Sequence, residues 1–160
     1  MKEPKKVVIS KDGTCVNVGE KQFRIEDLDP AQLALIMKER NKGFLKSNKE
    51  VRQKVASYAM AGFKVVLAGL GCWIASKFFQ NVDVAETFLK GAWLGLSTAG
   101  LLMSGKSIYY NKKRKGMIQD YEDDQTYLGM EIIKRQLQGE DTVLAEKILD
   151  EIIEEEKNAQ

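Results

Sequence analysis

At 160 residues the chain allows one ordinary domain, or a small membrane unit carrying soluble modules, and a mean hydropathy of -0.32 with 44% apolar residues does not choose between them. Arrangement does: apolar residues crowd the middle third, and charge is segregated around them. Without a histidine, the usual general base near neutral pH and the commonest metal ligand are both missing, which argues against an enzyme and against a metal or other cofactor.

Residues 1–37 carry six basic and six acidic side chains, whereas 38–54 carry seven basic and two acidic, a local net of +5. Lys106, Lys112, Lys113, Arg114 and Lys115 form a second basic block without an acid. Residues 117–160 then hold thirteen acidic against four basic side chains. Basic blocks on both flanks of an apolar middle point to anionic lipid headgroups and positive-inside anchoring; nucleic-acid binding would leave the apolar middle unexplained. Cys15 and Cys72 fall in different elements and suggest neither a disulfide nor a metal site, in keeping with a reducing compartment. No apolar run of signal-peptide type follows the basic start within the first 30 residues, so the N-terminus is expected to stay where it is made.

In chain order, Val7-Val8-Ile9 and Cys15-Val16-Asn17-Val18 read as strands joined by Lys11-Asp12-Gly13-Thr14, with Asp-Gly supplying the tight turn. Gly19-Glu20 turns the chain into a third strand at Lys21 to Ile25, with Phe23 and Ile25 expected on a buried face. Asp29-Pro30 marks a helix start, since Asp29 can accept from free N–H groups and Pro30 fits the first helical position. Leu33, Ile36 and Met37 give that helix an apolar stripe, and it is expected to stop near Asn41 to Gly43. The predicted head therefore covers residues 1–43, and a basic linker 44–54 follows.

Val55 to Phe79 and Val84 to Tyr110 are two candidate spans, each about 37–40 Å long as a helix, enough for a ~30 Å hydrocarbon core. The connection is short, around Gln80-Asn81-Val82-Asp83, so residues 55–110 are expected to form a helical hairpin in the membrane. Lys64, Lys77, Lys90 and Lys106 interrupt the apolar runs. Laid antiparallel, Lys77 is expected level with Lys90 and Lys64 level with Lys106, so that all four can snorkel to the interfaces. Tyr58, Trp73, Trp93, Tyr109 and Tyr110 add interfacial rings. The heavier basic flanks, including Lys112, Lys113, Arg114 and Lys115, lie outside the connection, so both termini are predicted to be cytoplasmic.

After a basic juxtamembrane segment at 111–116, residues 117–160 read as two acidic amphipathic helices. Ile118, Tyr121, Leu128, Ile132 and Leu137 form one stripe, Gly139 ends it, and Asp141 or Thr142 caps a second with Leu144, Ile148, Leu149, Ile152 and Ile153. This acidic pair can fold back on the chain's own basic segments or recruit a basic cytoplasmic partner. The fold class expected is mainly α with a small N-terminal β-meander, a two-helix transmembrane hairpin and an amphipathic C-terminal helical hairpin.

Small residues are spaced for close helix contact: Gly62, Gly69 and Ser76 every seven positions, and Gly91, Gly95 and Ala99 every four. They serve either the hairpin's own packing or its self-association. Gly100 to Ser107 matches the phosphate-loop pattern G-x-x-x-x-G-K-[ST], but lacks the strand-to-helix setting that makes its N–H groups converge on phosphate. Val65 to Gly71 imitates a dinucleotide turn, with Ile74 where its third small residue belongs. Ser76, Ser97, Thr98 and Ser104 offer hydroxyls but have only lysines as bases.

The function expected is a non-enzymatic membrane scaffold or adaptor, its expected partners being the bilayer and a second copy of the chain, with Leu33, Ile36, Leu144, Ile148 and Ile152 building or exposing its partner surfaces. A permeabilising protein of the kind seen in phage holins shares the topology and is the first alternative. A soluble helical interaction protein, with the apolar pair as a bundle core, is the second.

Overall fold

The computed structural model describes residues 6–10, 12–79 and 82–159. Lys11, Gln80 and Asn81, which the sequence places in turns, lie outside the described residues. The chain is mainly helical with a small N-terminal antiparallel sheet. Strands β1 (Val7–Ile9), β2 (Cys15–Val18) and β3 (Lys21–Arg24) are followed by a 3-10 turn (Ile25–Asp27) and three helices, α1 (Pro30–Phe78), α2 (Asp83–Leu137) and α3 (Val143–Ala159). Two compact units emerge: residues 1–49 with 116–160, and residues 50–115.

In the first unit the sheet order is β1-β2-β3, with Val7 opposite Val18 and Val16 opposite Phe23. Gly13 (φ +69°) and Gly19 (φ +66°) supply the left-handed backbone of its two turns. Val7 and Val16 are buried, but every residue of β3 is exposed, Phe23 included. The expectation of a buried Phe23 fails because the core covers β1 and β2 and leaves β3 as an outlying edge. Ile25 is buried, in the 3-10 turn rather than in the strand.

The start of α1 follows a reciprocal capping pattern, since Gln32 N donates to Asp29 Oδ1 at 2.7 Å and Asp29 N donates to Gln32 Oε1 at 3.1 Å. The helix does not stop at Asn41 to Gly43 but runs unbroken to Phe78. Asn41 is fully buried and its side-chain carbonyl accepts from the Tyr121 hydroxyl at 3.0 Å, so it does not compete for its own backbone. Gly43 alone weakens a helix by only ~1 kcal/mol. Likewise 111–116 is helical, because nothing between the second apolar run and Leu137 breaks α2.

Gly139 (φ +85°) ends α2, and α3 begins where Val143 N donates to Asp141 Oδ1 at 3.0 Å. The core of this unit joins Val7, Val16, Leu33, Ala34 and Met37 to Leu128, Ile132, Ala145, Ile148 and Ile152. The acidic C-terminal helices therefore complete the core of the β-meander head, which supplies the apolar area that roughly 40 residues alone lack.

Candidate functional site

The second unit, residues 50–115, is a helical hairpin in which small residues hold the contact between the two helices. On α1, Val55, Tyr58, Gly62, Val65, Gly69, Cys72 and Ser76 are half-buried or buried, spaced three and four apart along one stripe. Among the stripe's fully buried members are two glycines and a serine. A Cβ at Gly62 would stand 2.9 Å from Ser104 Oγ and 3.1 Å from Gly100 O, and one at Gly100 would stand 2.5 Å from Val66 Cγ2. Glycine at these positions is what lets the two backbones approach.

Large side chains turn the other way. Met60, Phe63, Leu67, Leu70, Ile74, Phe88, Leu94, Leu101, Leu102 and Ile108 are all exposed. An 18-residue stretch of α1 has a mean hydropathy of 1.6 and is 17% buried. By length and composition α1 alone among the described helices is apolar enough to cross a membrane, a property that core helices of soluble proteins share. The second of the two expected spans falls short, because Lys90, Glu86, Lys106 and a run of glycines and hydroxyls dilute it.

The register corrects one expectation. Ser107 Oγ donates to Val55 O at 3.1 Å, and the Tyr58 and Tyr110 rings stack with centroids 5.6 Å apart. Lys106 is therefore level with Tyr58, its ammonium 5.7 Å from that ring's centroid, while Lys64 lies six residues, about 9 Å, nearer the connection. Side chains on a helix lean toward its N-terminus. Lys64 on α1 leans to the open end of the hairpin and Lys90 on α2 to the connection, so each leans toward its nearer end. Lys77 and Lys106 lean toward the middle, and these two lie over rings, Lys77 5.7 Å from the Trp73 centroid. Lys90 pairs with Glu86 at 2.6 Å.

Of the small residues singled out from sequence, Gly62 and Gly69 face α2, with Ser97 Oγ 3.2 Å from a Cβ on Gly69, and Ser76 is buried on the same stripe. A Cβ at Gly91 or Gly95 would meet nothing of another element within 4 Å, and Ala99 is half-buried. Sequence reasoning missed Gly100 as the residue facing Gly62, and Lys54, whose ammonium lies 5.8 Å from the Tyr110 centroid. Matching glycines rather than lysines across the connection would have found the first. Lys112, Lys113 and Lys115 are exposed on α2. Arg114 is half-buried there.

Gly100 to Ser107 lies inside α2, and Val65 to Gly71 inside α1, so neither forms a phosphate-binding turn. Ser76, Thr98 and Ser104 donate to carbonyls of their own helix at 2.7–2.9 Å. No group of three or more metal-ligating side chains occurs among the described residues.

The first unit concentrates its polar groups around Tyr121. Its ring stacks on Phe44 with centroids 4.1 Å apart, and its hydroxyl lies between Asn41 Oδ1 and Glu156 Oε1. Burial, reinforced by the Glu156 carboxylate, drives the phenol well above its ordinary pKa. Arg40 Nε donates to Asp124 at 2.7 Å, yet burial outweighs that charge and holds the Asp124 carboxyl above its usual 3.8. Lys38 pairs with Glu151, whose carboxyl is lowered by that hydrogen bond. Among the described residues no buried side-chain polar atom lacks a partner, so this cluster is a structural lock joining α1, α2 and α3. Leu33, Ile36, Ile148 and Ile152 sit in the core beside it, and only Leu144 of the proposed partner-surface residues is exposed.

No protein-family model, curated protein or solved structure matches the chain.

Proposed function

We propose that the chain is a non-enzymatic integral membrane scaffold or adaptor, anchored by the 55–110 hairpin as a two-helix transmembrane element with both termini in the cytoplasm. The observation that carries this reading is the inverted packing of the hairpin: glycine and serine inside, Phe63, Leu67, Leu70, Ile74, Leu101 and Leu102 outside. Water would penalise that surface by ~25 cal/mol for each Å² of apolar area, and hydrocarbon would not. A soluble bundle would bury the same side chains, whereas the apolar stretch of α1 is 17% buried.

The dimensions agree with a bilayer. From Tyr58 to Lys77 is nineteen residues, about 28 Å of helix, against a ~30 Å core. Tyrosines and lysines at one end, and Trp73, Lys77, Glu86 and Lys90 at the other, suit the two interfaces. The denser basic residues at the open end favour the cytoplasmic side for both termini. Gly91 and Gly95, where an added Cβ would meet open space, leave a close-approach face for a second copy. The well-packed first unit, capped and locked by α3, would then be the module displayed to other proteins.

Carbonate washing of isolated membranes tests the anchor. The protein is expected in the pellet, and recovery in the wash would overturn the reading in favour of a soluble helical protein. Membrane-impermeant thiol labelling then tests topology: Cys15 is expected to react only after the cytoplasmic face is opened. For the assembly, Gly95→Leu is expected to abolish cross-linked oligomers while the chain stays in the pellet. Ion leakage from vesicles carrying the oligomer would replace the scaffold reading with a permeabilising one.

A further inference from the structure

We propose that the cleft on α1 lined by Glu50, Gln53, Lys54, Ser57 and Tyr58 seats the phosphate of an anionic phospholipid headgroup, held by Lys54 and, from the membrane side, by Lys64. The inference rests on the membrane anchor and goes beyond it, because it assigns a lipid class to named side chains. The lining residues are three and four apart, so they share one face of the helix, and the cleft of about 420 Å³ accommodates a phosphoglycerol group.

Lys64 is seven residues beyond Ser57, two turns deeper on the same face. Its side chain is exposed, and in the proposed complex it extends back toward the open end of the hairpin to meet the phosphate from below, as a snorkelling lysine does. Lys54 is positioned differently. Its ammonium lies 5.8 Å from the Tyr110 centroid, Tyr110 stacks on Tyr58 with ring planes 7° apart, and Lys106 lies over Tyr58. This ladder of cation, ring, ring and cation fixes Lys54 before a lipid arrives, which lowers the cost of ordering it on binding.

Charge favours an anionic occupant: Lys54, Lys64 and Lys106, which lies over the lining Tyr58, outweigh Glu50 and leave the surroundings of the cleft positive, as an anionic phosphate requires. Glu50 is nearest the open end, where its carboxylate can accept from glycerol hydroxyls, while Ser57 can donate to a phosphate oxygen below. A phosphatidylglycerol-type lipid satisfies all of these groups, its acyl chains descending along the exposed apolar side of α1.

The test uses the full chain reconstituted in vesicles of mixed phosphatidylglycerol and phosphatidylcholine, reading lipid selectivity from spin-labelled lipids of each class. Lys54→Gln and Lys64→Gln should each lower the preference for phosphatidylglycerol about five-fold, and the double variant about thirty-fold. Tyr110→Leu, which removes no charge, should lower it as well. The proposal is overturned if the double variant keeps its preference, if Lys112→Gln with Lys113→Gln loses as much, or if inorganic phosphate displaces the labelled lipid. Each variant is also washed with carbonate: retention in the pellet with lost selectivity supports the site, whereas release of the unmodified protein sinks the anchor itself.

Discussion

Arg135 holds the turn that launches α1, and replacing it should unfold the head locally. Its guanidinium is buried, donating to the carbonyl of Leu28, to Ile25 O at 2.7 Å and to Glu26 O at 3.2 Å, with Glu131 3.4 Å from its Nε. A planar fork binds three carbonyls in and beside the short 3-10 turn, where Ile25 O also accepts from Leu28 N at 3.3 Å. Arg135→Met keeps most of the packed stem and removes every donor. Hydrogen bonds to a charged group contribute ~1.5–3 kcal/mol each, but the three act as a unit, so the expected loss is about 3–5 kcal/mol. Arg135→Lys offers one ammonium in place of the fork and should recover only part of that. Hydrogen exchange on the full chain in detergent reads the effect. Amides of 30–37 and 128–137 should lose about two to four orders of magnitude in protection, while 96–107 in the hairpin keep theirs. Unchanged protection in the head, or an equal loss in the hairpin, would refute the assignment of Arg135 as the tie between the turn and α2.

Gly100→Ala should destabilise the hairpin by ~1–3 kcal/mol, because the new Cβ meets Val66 Cγ2 at 2.5 Å and Gly62 O at 3.1 Å. Gly95→Ala, with nothing within 4 Å, should instead gain up to ~1 kcal/mol of helix propensity; thermal unfolding in detergent followed by circular dichroism compares them. Asp29→Ala removes the acceptor for Gln32 N and should cost about 1 kcal/mol, seen as faster exchange in the first turn of α1. Acidification should act in two senses. Asp124 has a raised pKa, so its proton favours the folded state and its contribution grows as pH falls through that value, above 3.8. Glu151 is lowered by Lys38, so its contribution, full above the ordinary 4.5, is lost as pH falls through the lowered value. Carboxyl carbon NMR titration of the two checks both directions, and Lys38→Met should return Glu151 toward 4.5.

Local punctuation was legible in the sequence because it depends on neighbours: Gly13 and Gly19 in their turns, Asp29-Pro30 at the head of α1, Gly139 at the end of α2 and Asp141 before α3. What was not legible depends on residues far apart. Asn41 looks like a helix terminator until Tyr121, eighty positions later, takes its side-chain oxygen, and then the basic segment beyond it becomes ordinary helix. Phe23 looks like a core residue until the sheet proves to be covered only over β1 and β2. The hairpin shows the same division. Hydropathy depends on how much apolar surface a stretch carries and is blind to where it points, so it marked 55–79 without telling a soluble core from a membrane surface. Facing depends on which residues occupy the three-and-four stripe: this chain puts Gly62, Gly69 and Ser76 there and turns Leu67, Leu70 and Ile74 outward. Those same glycines, paired with Gly100, Ser97 and Ser104, set the register that moves Lys64 off the level of Lys106. Small residues are therefore the more reliable guide to both register and facing in such a hairpin, since a lysine can bend several ångströms along the helix and a glycine contact cannot.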